Sequence, residues 1–465
     1  VNSSGLVETV ELLGSEEVDC GNFECASPES VWSTGTGWEI SGGSANCIGG
    51  AGSLNLTQVA LEIGKTYTVT YTVSNYSAGT IHPIMGGWTH GTYQSSNGTY
   101  TETISNTNAN ANTTFYLQGR SGFVGSIDNV SVKESTKNNL ARVDYDGTAS
   151  SLLVEPQRIN VNTYSEDFGQ SFYIKDSGVS VGDTNFVSPS GESNASQIEV
   201  NNNLRIYANV ASDTYASSWY IKAGTFSYFR SGGDIDLVAG TFSGGTIESV
   251  GNGWFRITKQ YTGNRPFQIQ AYPDGTYSSH TTTGDYYIWG SQIEAGSYAT
   301  SYIPTDGGTV TRVQDQYSKT GISNLINSEE GVLFAEIAAL SDDGGYRYIS
   351  LSDGTTSNFI VIRYYNVLSK VSAFLYNASG VQGSTSAVVS DITQLTKVAF
   401  KWKDSDFALW VNGVEAATGT GSTFSSGALN TLNFDNGIGG NPFYGKVKQL
   451  QIYKTTDIDL AALTS

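Results

Sequence analysis

The sequence predicts an all-β chain built as three tandem antiparallel β-sandwiches. Three observations carry this. Glycine is abundant, at 54 of 465 residues, aromatics reach 12% and charged residues only 14%, a balance of turn-rich β structure and not of helix bundles or disorder. Alternating apolar and polar runs recur along the chain, at the two-residue period of strands with one buried face. The length exceeds one ordinary sandwich and suits about two to four domains.

Residues 1–18 read as an N-terminal extension or attachment segment, and Val1 with no signal-peptide core behind it suits a processed or trimmed chain. The first block spans residues 19–134. In it Tyr67, Val69, Tyr71 and Val73 alternate with threonines, as a half-buried strand requires. Cys20, Cys25 and Cys47 form no disulfide framework; one bridge plus one thiol and three thiols both fit. Their spacing is wrong for zinc, and His82 and His90 are too distant in sequence to complete a ligand set.

The motif order of this block, from GNFE (21–24) to GSIDNVSVKE (125–134), resembles the jelly-roll carbohydrate-binding modules of polysaccharide-degrading enzymes, which also occur in phage structural proteins. That resemblance implies that the two motifs lie side by side and hold a structural calcium, with Glu24 and Asp128 as ligands. Calcium takes hard oxygens from carboxylates and carbonyls, so the chemistry suits. In the alternative reading both acids cap turns at adjoining strand ends.

Residues 135–150 are polar and read as a linker or an ordered bridge. The second block, residues 151–306, opens on SLLVEPQRINVNTYSEDF (151–168) and closes on GDYYIWGSQIEAGSYATSYIPT (284–305). Both phrases resemble sentences that recur in bacteriophage tail and other virion proteins, with Ile159 where a threonine is usual. Its core candidates are Trp219, Ile221, Trp254, Phe255, Ile257, Ile288 and Trp289.

In the third block, residues 307–465, Val398, Phe400 and Trp402 alternate with Ala399, Lys401 and Lys403. Asp404–Asp406 turns the chain, Phe407, Leu409 and Val411 resume the period, and Asn412-Gly413 suits a hairpin turn needing positive φ. A glycine-flanked strand (432–440), a closing strand (443–453) and a short terminal helix (457–463) follow. From about residue 324 on, this order resembles the concanavalin A-like jelly rolls, the laminin G and pentraxin domains.

No active site is legible. His82, His90 and His280 are scattered, no nucleophile elbow, phosphate loop or zinc motif occurs, and the E-x-D-x-x-E strand of laminarinase-type jelly rolls is absent from the third block. Fold alone does not carry function, so the chain reads as non-catalytic. A net charge of −19 argues against nucleic acid and against membrane attachment by basic patches. No apolar run reaches the ~20 residues of a membrane span.

Binding fits better. Sugars stack their C–H faces on aromatic rings and give hydroxyls to polar side chains. The loop GGWTHGTYQSSNG (86–98) sets Trp88, His90 and Tyr93 among turn residues, so these are the carbohydrate-binding candidates. The alternative makes Trp88 a lid over the sandwich end. Loops of laminin G- and pentraxin-like relatives carry calcium or ligand, which implies Asp342, Asp343, Asp435 and Asn436 as metal candidates; solvated turn acids are the other reading.

The resemblances together imply a virion component: a tail fibre, receptor-binding or capsid-decorating protein that binds host surface glycans or acts as a spacer. Its expected partners are host polysaccharide and other virion proteins, in a homo-oligomer or multi-copy assembly, outside the cell. The runner-up is a secreted or surface-held bacterial adhesin, or the carbohydrate-binding part of a polysaccharide-degrading enzyme.

Overall fold

The structure, a computed structural model, describes residue 7 and residues 12–136, 140–146, 149–202, 204–365 and 367–465. Antiparallel strands dominate it throughout, and the one α-helix among the described residues is Leu460–Thr464. The chain divides into two compact units: residues 10–140, and residues 141–465 joined by residues 1–9.

The first unit is organised by two long strands, Thr66–Met85 and Thr114–Thr136, which pair with each other. Thr114–Thr136 also pairs with Leu12–Glu16, Ser44–Ile48 and Leu54–Val59, so part of the N-terminal extension is a strand. Tyr67, Val69, Tyr71 and Val73 point inward as their alternation predicts, onto Trp32, Phe115 and Phe123. The threonines between them face out, where Thr68, Thr70 and Thr72 pair hydroxyl to hydroxyl with Thr103, Thr101 and Thr99. Pairing is irregular between Ser74 and Thr80. There Gly79 has φ +70°, and a Cβ on it would lie 2.4 Å from the Phe123 nitrogen, so only glycine fits the crossing. The cysteines resolve into a Cys20–Cys25 bridge and a buried free Cys47.

The second unit holds two sandwiches. One packs a nine-stranded sheet centred on Thr283–Ala295 and Asp213–Ala223 against a six-stranded sheet centred on Phe267–Tyr272. Trp219, Ile221, Ile257 and Ile288 fill its core, with Phe255 packed against them. Trp254 and Trp289 are buried too, but on the sheet's other face, with Tyr220. Val7 joins that outer cluster, its nitrogen donating to Pro189 O at 2.9 Å.

The other sandwich sets a seven-stranded sheet on a six-stranded one. Val398, Phe400, Trp402, Phe407 and Leu409 enter its core as the alternation predicts. Asn412 and Gly413 make the turn at φ 47° and 82°. Ala399 is buried as well, because the terminal helix, with Leu460, covers that part of the outer face. Asp459 caps this helix, accepting from Ala462 N at 3.0 Å.

One boundary differs from the sequence reading. Arg142–Asp146 and Ala149–Val154, read as linker and as the start of the second sandwich, form a hairpin that pairs with Gly445–Tyr453 at the edge of the C-terminal sandwich. Val154 enters that sandwich's core. The cause is a buried charge cluster. Glu155 takes Arg142 at 3.0 Å and Arg312 at 3.1 Å, while Asp315 accepts from Arg142 and from Glu155 N. A polar stretch thus becomes edge structure because its charges have partners.

Candidate functional site

The loop after Met85 is shaped by glycine. Gly86 and Gly87 stand at φ +59° and +76°, and a Cβ on Gly86 would meet Asn106 Oδ1 at 2.1 Å. Thr89–His90 then folds back on Ile84–Met85. Backbone bonds pin the rest along the parent strand: Gly91 N to Pro83 O at 2.8 Å, and a reciprocal pair between Gln94 and Ile81 at 2.8 and 2.9 Å. Thr92 N donates to the Glu102 carboxylate at 2.9 Å.

This return brings together groups that the sequence separates. His82, fully buried, has its Nε2 3.0 Å from His90 Nδ1, and the Tyr93 ring stacks on its imidazole at 4.0 Å. Burial first, then His90 and Arg120, push the His82 pKa down to about 4, so the ring is neutral at pH 7. His82 was missed in the sequence, where eight residues across an unrecognised hairpin looked like scatter. Tyr93 stays 51% exposed and is backed by that imidazole. Trp88, at the glycine turn, is 54% exposed and has no ring contact among the described residues, so it is not a lid over a core. A fixed aromatic ring with an open face is what a sugar needs from a shallow site.

The GNFE and IDNV motifs are adjacent, since Val130 N donates to Gly21 O at 2.8 Å. Glu24 Oε2 accepts from Asn22 at 3.4 Å, and Asp128 Oδ1 accepts from Asn129 N at 2.6 Å. Each carboxylate keeps one oxygen without a bond among the described residues. No group of three or more His, Cys, Asp or Glu side chains there is arranged to hold a metal. Two carboxylates alone do not fill the roughly six to eight oxygen positions of a calcium ion.

The loops at residues 341–348 and 434–444 also meet, through Tyr348 N and Asn441 O at 3.0 Å. Their carboxylates and amide already hold hydrogen bonds. Asp342 accepts from Ser369 N and Oγ, both at 2.8 Å, and Asp343 from Gly345 N at 2.9 Å and Arg347 Nη2 at 2.8 Å. Asp435 Oδ1 accepts from Gly437 N at 2.6 Å and Asn436 Oδ1 from Gly440 N at 2.8 Å. The contacts of Asp343, Asp435 and Asn436 to nearby backbone are those of turn-capping residues, whereas Asp342 ties its loop to a serine 27 residues on.

The second sandwich carried no predicted site, yet it has an open polar cleft of about 690 Å³. Glu166, Asp167, Asn194, Thr305 and Asp306 line it. Burial raises the Glu166 pKa, while Tyr302 and Asn194 donate to its carboxylate at 2.8 Å each.

No helix among the described residues is long and apolar enough to cross a membrane. No family model and no curated protein matches the chain. Among solved structures, sheep galectin-11 in complex with glycerol aligns at 10% identity and a TM-score of 0.20, over 31% of this chain and 96% of that one. Domains LG4-5 of the mouse laminin α1 chain align at 10% identity and a TM-score of 0.23, over 69% and 96%.

Proposed function

We propose that this protein is a non-catalytic glycan-binding protein that works outside the cell. The observation that carries the reading is the pinned loop at residues 86–98, which holds Trp88 and Tyr93 half-exposed on a fixed frame. The Tyr93 ring, held on the His82 imidazole before binding, loses little freedom on contact, so a shallow site keeps more of its interaction energy. The Cys20–Cys25 bridge suits an oxidising environment.

The finer form of the proposal is a bacteriophage virion component, a tail fibre, receptor-binding or capsid-decorating protein, present in many copies and acting on host glycan. Its support is the wording of residues 151–168 and 284–305. A secreted adhesin or the binding part of a polysaccharide-degrading enzyme is the second reading, favoured by the motif order of the first block. The proposal extends to a structural calcium between Glu24 and Asp128.

A glycan array probed with the protein tests the core claim. Binding to a defined glycan set is expected, weakened at least tenfold by Trp88→Ala or Tyr93→Ala. An array that stays blank, or cleavage of the bound glycan, would overturn it.

A further inference from the structure

The six-stranded sheet of the C-terminal sandwich has a second face. Along Arg347–Ser352, Phe359–Tyr364 and Lys370–Asn377, alternate residues fill the core, and the others build a mat of different chemistry. Tyr348, Arg363 and Ser372 stand side by side in register. Val361 and Phe374 form the next row, and Phe359 stacks on Tyr376 at 5.6 Å in the row after. Tyr346 and Tyr365 meet edge to face at 5.5 Å beyond the first row.

Arg363 lies within cation–π reach of four rings: Tyr365 and Phe374 at 4.6 Å, Tyr346 at 5.1 Å and Tyr348 at 5.2 Å. Its Nε donates to Ser372 Oγ at 2.8 Å and its Nη1 to the Tyr348 hydroxyl, while Nη2 has no acceptor among the described residues. Lys370 Nζ shares the Tyr365 ring at 5.3 Å. Neither cation has an ion pair among the described residues, in a chain with 43 acidic and 24 basic residues. Where acids are in excess, two cations left among aromatic rings need a reason. A guanidinium fixed flat by rings keeps the planar fork that matches a carboxylate.

We propose that this face is a second glycan site and that it selects sugars bearing a carboxylate. The carboxylate pairs with Arg363 and Lys370, and the half-buried rings of Tyr346 and Tyr365 take the sugar's C–H face, over a floor of buried Tyr348, Val361 and Phe374. This deepens the glycan-binding reading and rests on it. The net charge of −19 disfavours long polyanions such as nucleic acid at a distance, whereas one carboxylate on a stacking ring is drawn by contact.

The test measures binding of the full chain to oligogalacturonate and to sialyllactose, each beside its methyl ester, which keeps the sugar and masks the charge. At least one acid is expected to bind tenfold or more tightly than its ester, and whichever does names the source of the carboxylate. Arg363→Gln, checked for an unchanged melting temperature, is expected to abolish that preference, and Arg363→Lys to restore it only in part. Equal binding of acid and ester overturns the carboxylate assignment and leaves the broader reading standing. A folded Arg363→Gln protein that keeps the preference also overturns it. If neither form of either sugar binds and the glycan array is blank, both fall.

Discussion

Burial decides what His82 can do. Its folded pKa lies near 4, below the ~6.5 of an unfolded histidine. Between those values the unfolded chain binds a proton that the folded one refuses, so stability falls as pH falls through that window. The melting temperature of the wild-type protein should therefore drop more steeply from pH 6.5 to 4 than that of His82→Asn. Parallel curves would assign the dependence to other groups. Glu155 is the opposite case, a buried charge that stays beside two cations, Arg142 and Arg312. Glu155→Ala leaves Arg312 without its closest anion, and removing one member of a buried pair costs about 3–5 kcal/mol. Urea unfolding should show a loss of that order; a loss under about 1 kcal/mol would mean that water already reaches the cluster. Neither role was legible in the sequence, since both depend on what lies across a strand gap and not along it.

Strands with a clear period were legible, and the exceptions have physical causes. The inward sets Tyr67 to Val73 and Val398 to Trp402 followed from alternation alone, and the turn at Asn412-Gly413 from its dipeptide. The hairpin from Arg142 to Val154 did not, because its sequence is polar and its fit depends on a strand some 290 residues away. A fragment of residues 141–465 should accordingly be monomeric, whereas one beginning at residue 156 exposes the edge of Gly445–Tyr453 and opens a hole at Val154. Such an edge is a template for pairing between chains. Size-exclusion chromatography should show the shorter fragment self-associating; equal monodispersity would show that the hairpin is dispensable. The calcium proposal belongs to this scale as well. An ion that ties residues 21–24 to 125–134 stabilises only the folded state. Chelation should lower the melting temperature of metal-loaded protein, and Asp128→Asn should remove that response. No change on chelation would leave Asp128 as a turn cap.

At the scale of the whole molecule the sandwiches were legible and the binding faces only partly so. The loop at residues 86–98 stood out because aromatics sat among turn residues. The Arg363 mat did not, because its members come from adjacent strands in which every second residue looks like core. The loop is open and the mat reaches solvent only at its margin, through Tyr346, Arg363, Tyr365, Lys370 and Tyr376, and a site of one or two stacked rings recovers little beyond the cost of association. Attachment to a cell therefore calls for many sites at once, since linked sites turn later contacts into intramolecular ones and multiply avidity. No heptad run offers a coiled-coil stalk, so copies would have to be gathered through sandwich faces or an attachment partner. The protein displayed in many copies on a bead should bind glycan-bearing cells at concentrations where the single chain gives no signal. The double variant Trp88→Ala, Tyr93→Ala should reduce that binding by well over tenfold, because each lost contact is compounded across the copies. Equally tight binding by an isolated single chain would contradict the multi-copy account and point to a deeper site, of which the cleft at Glu166 is the first to test.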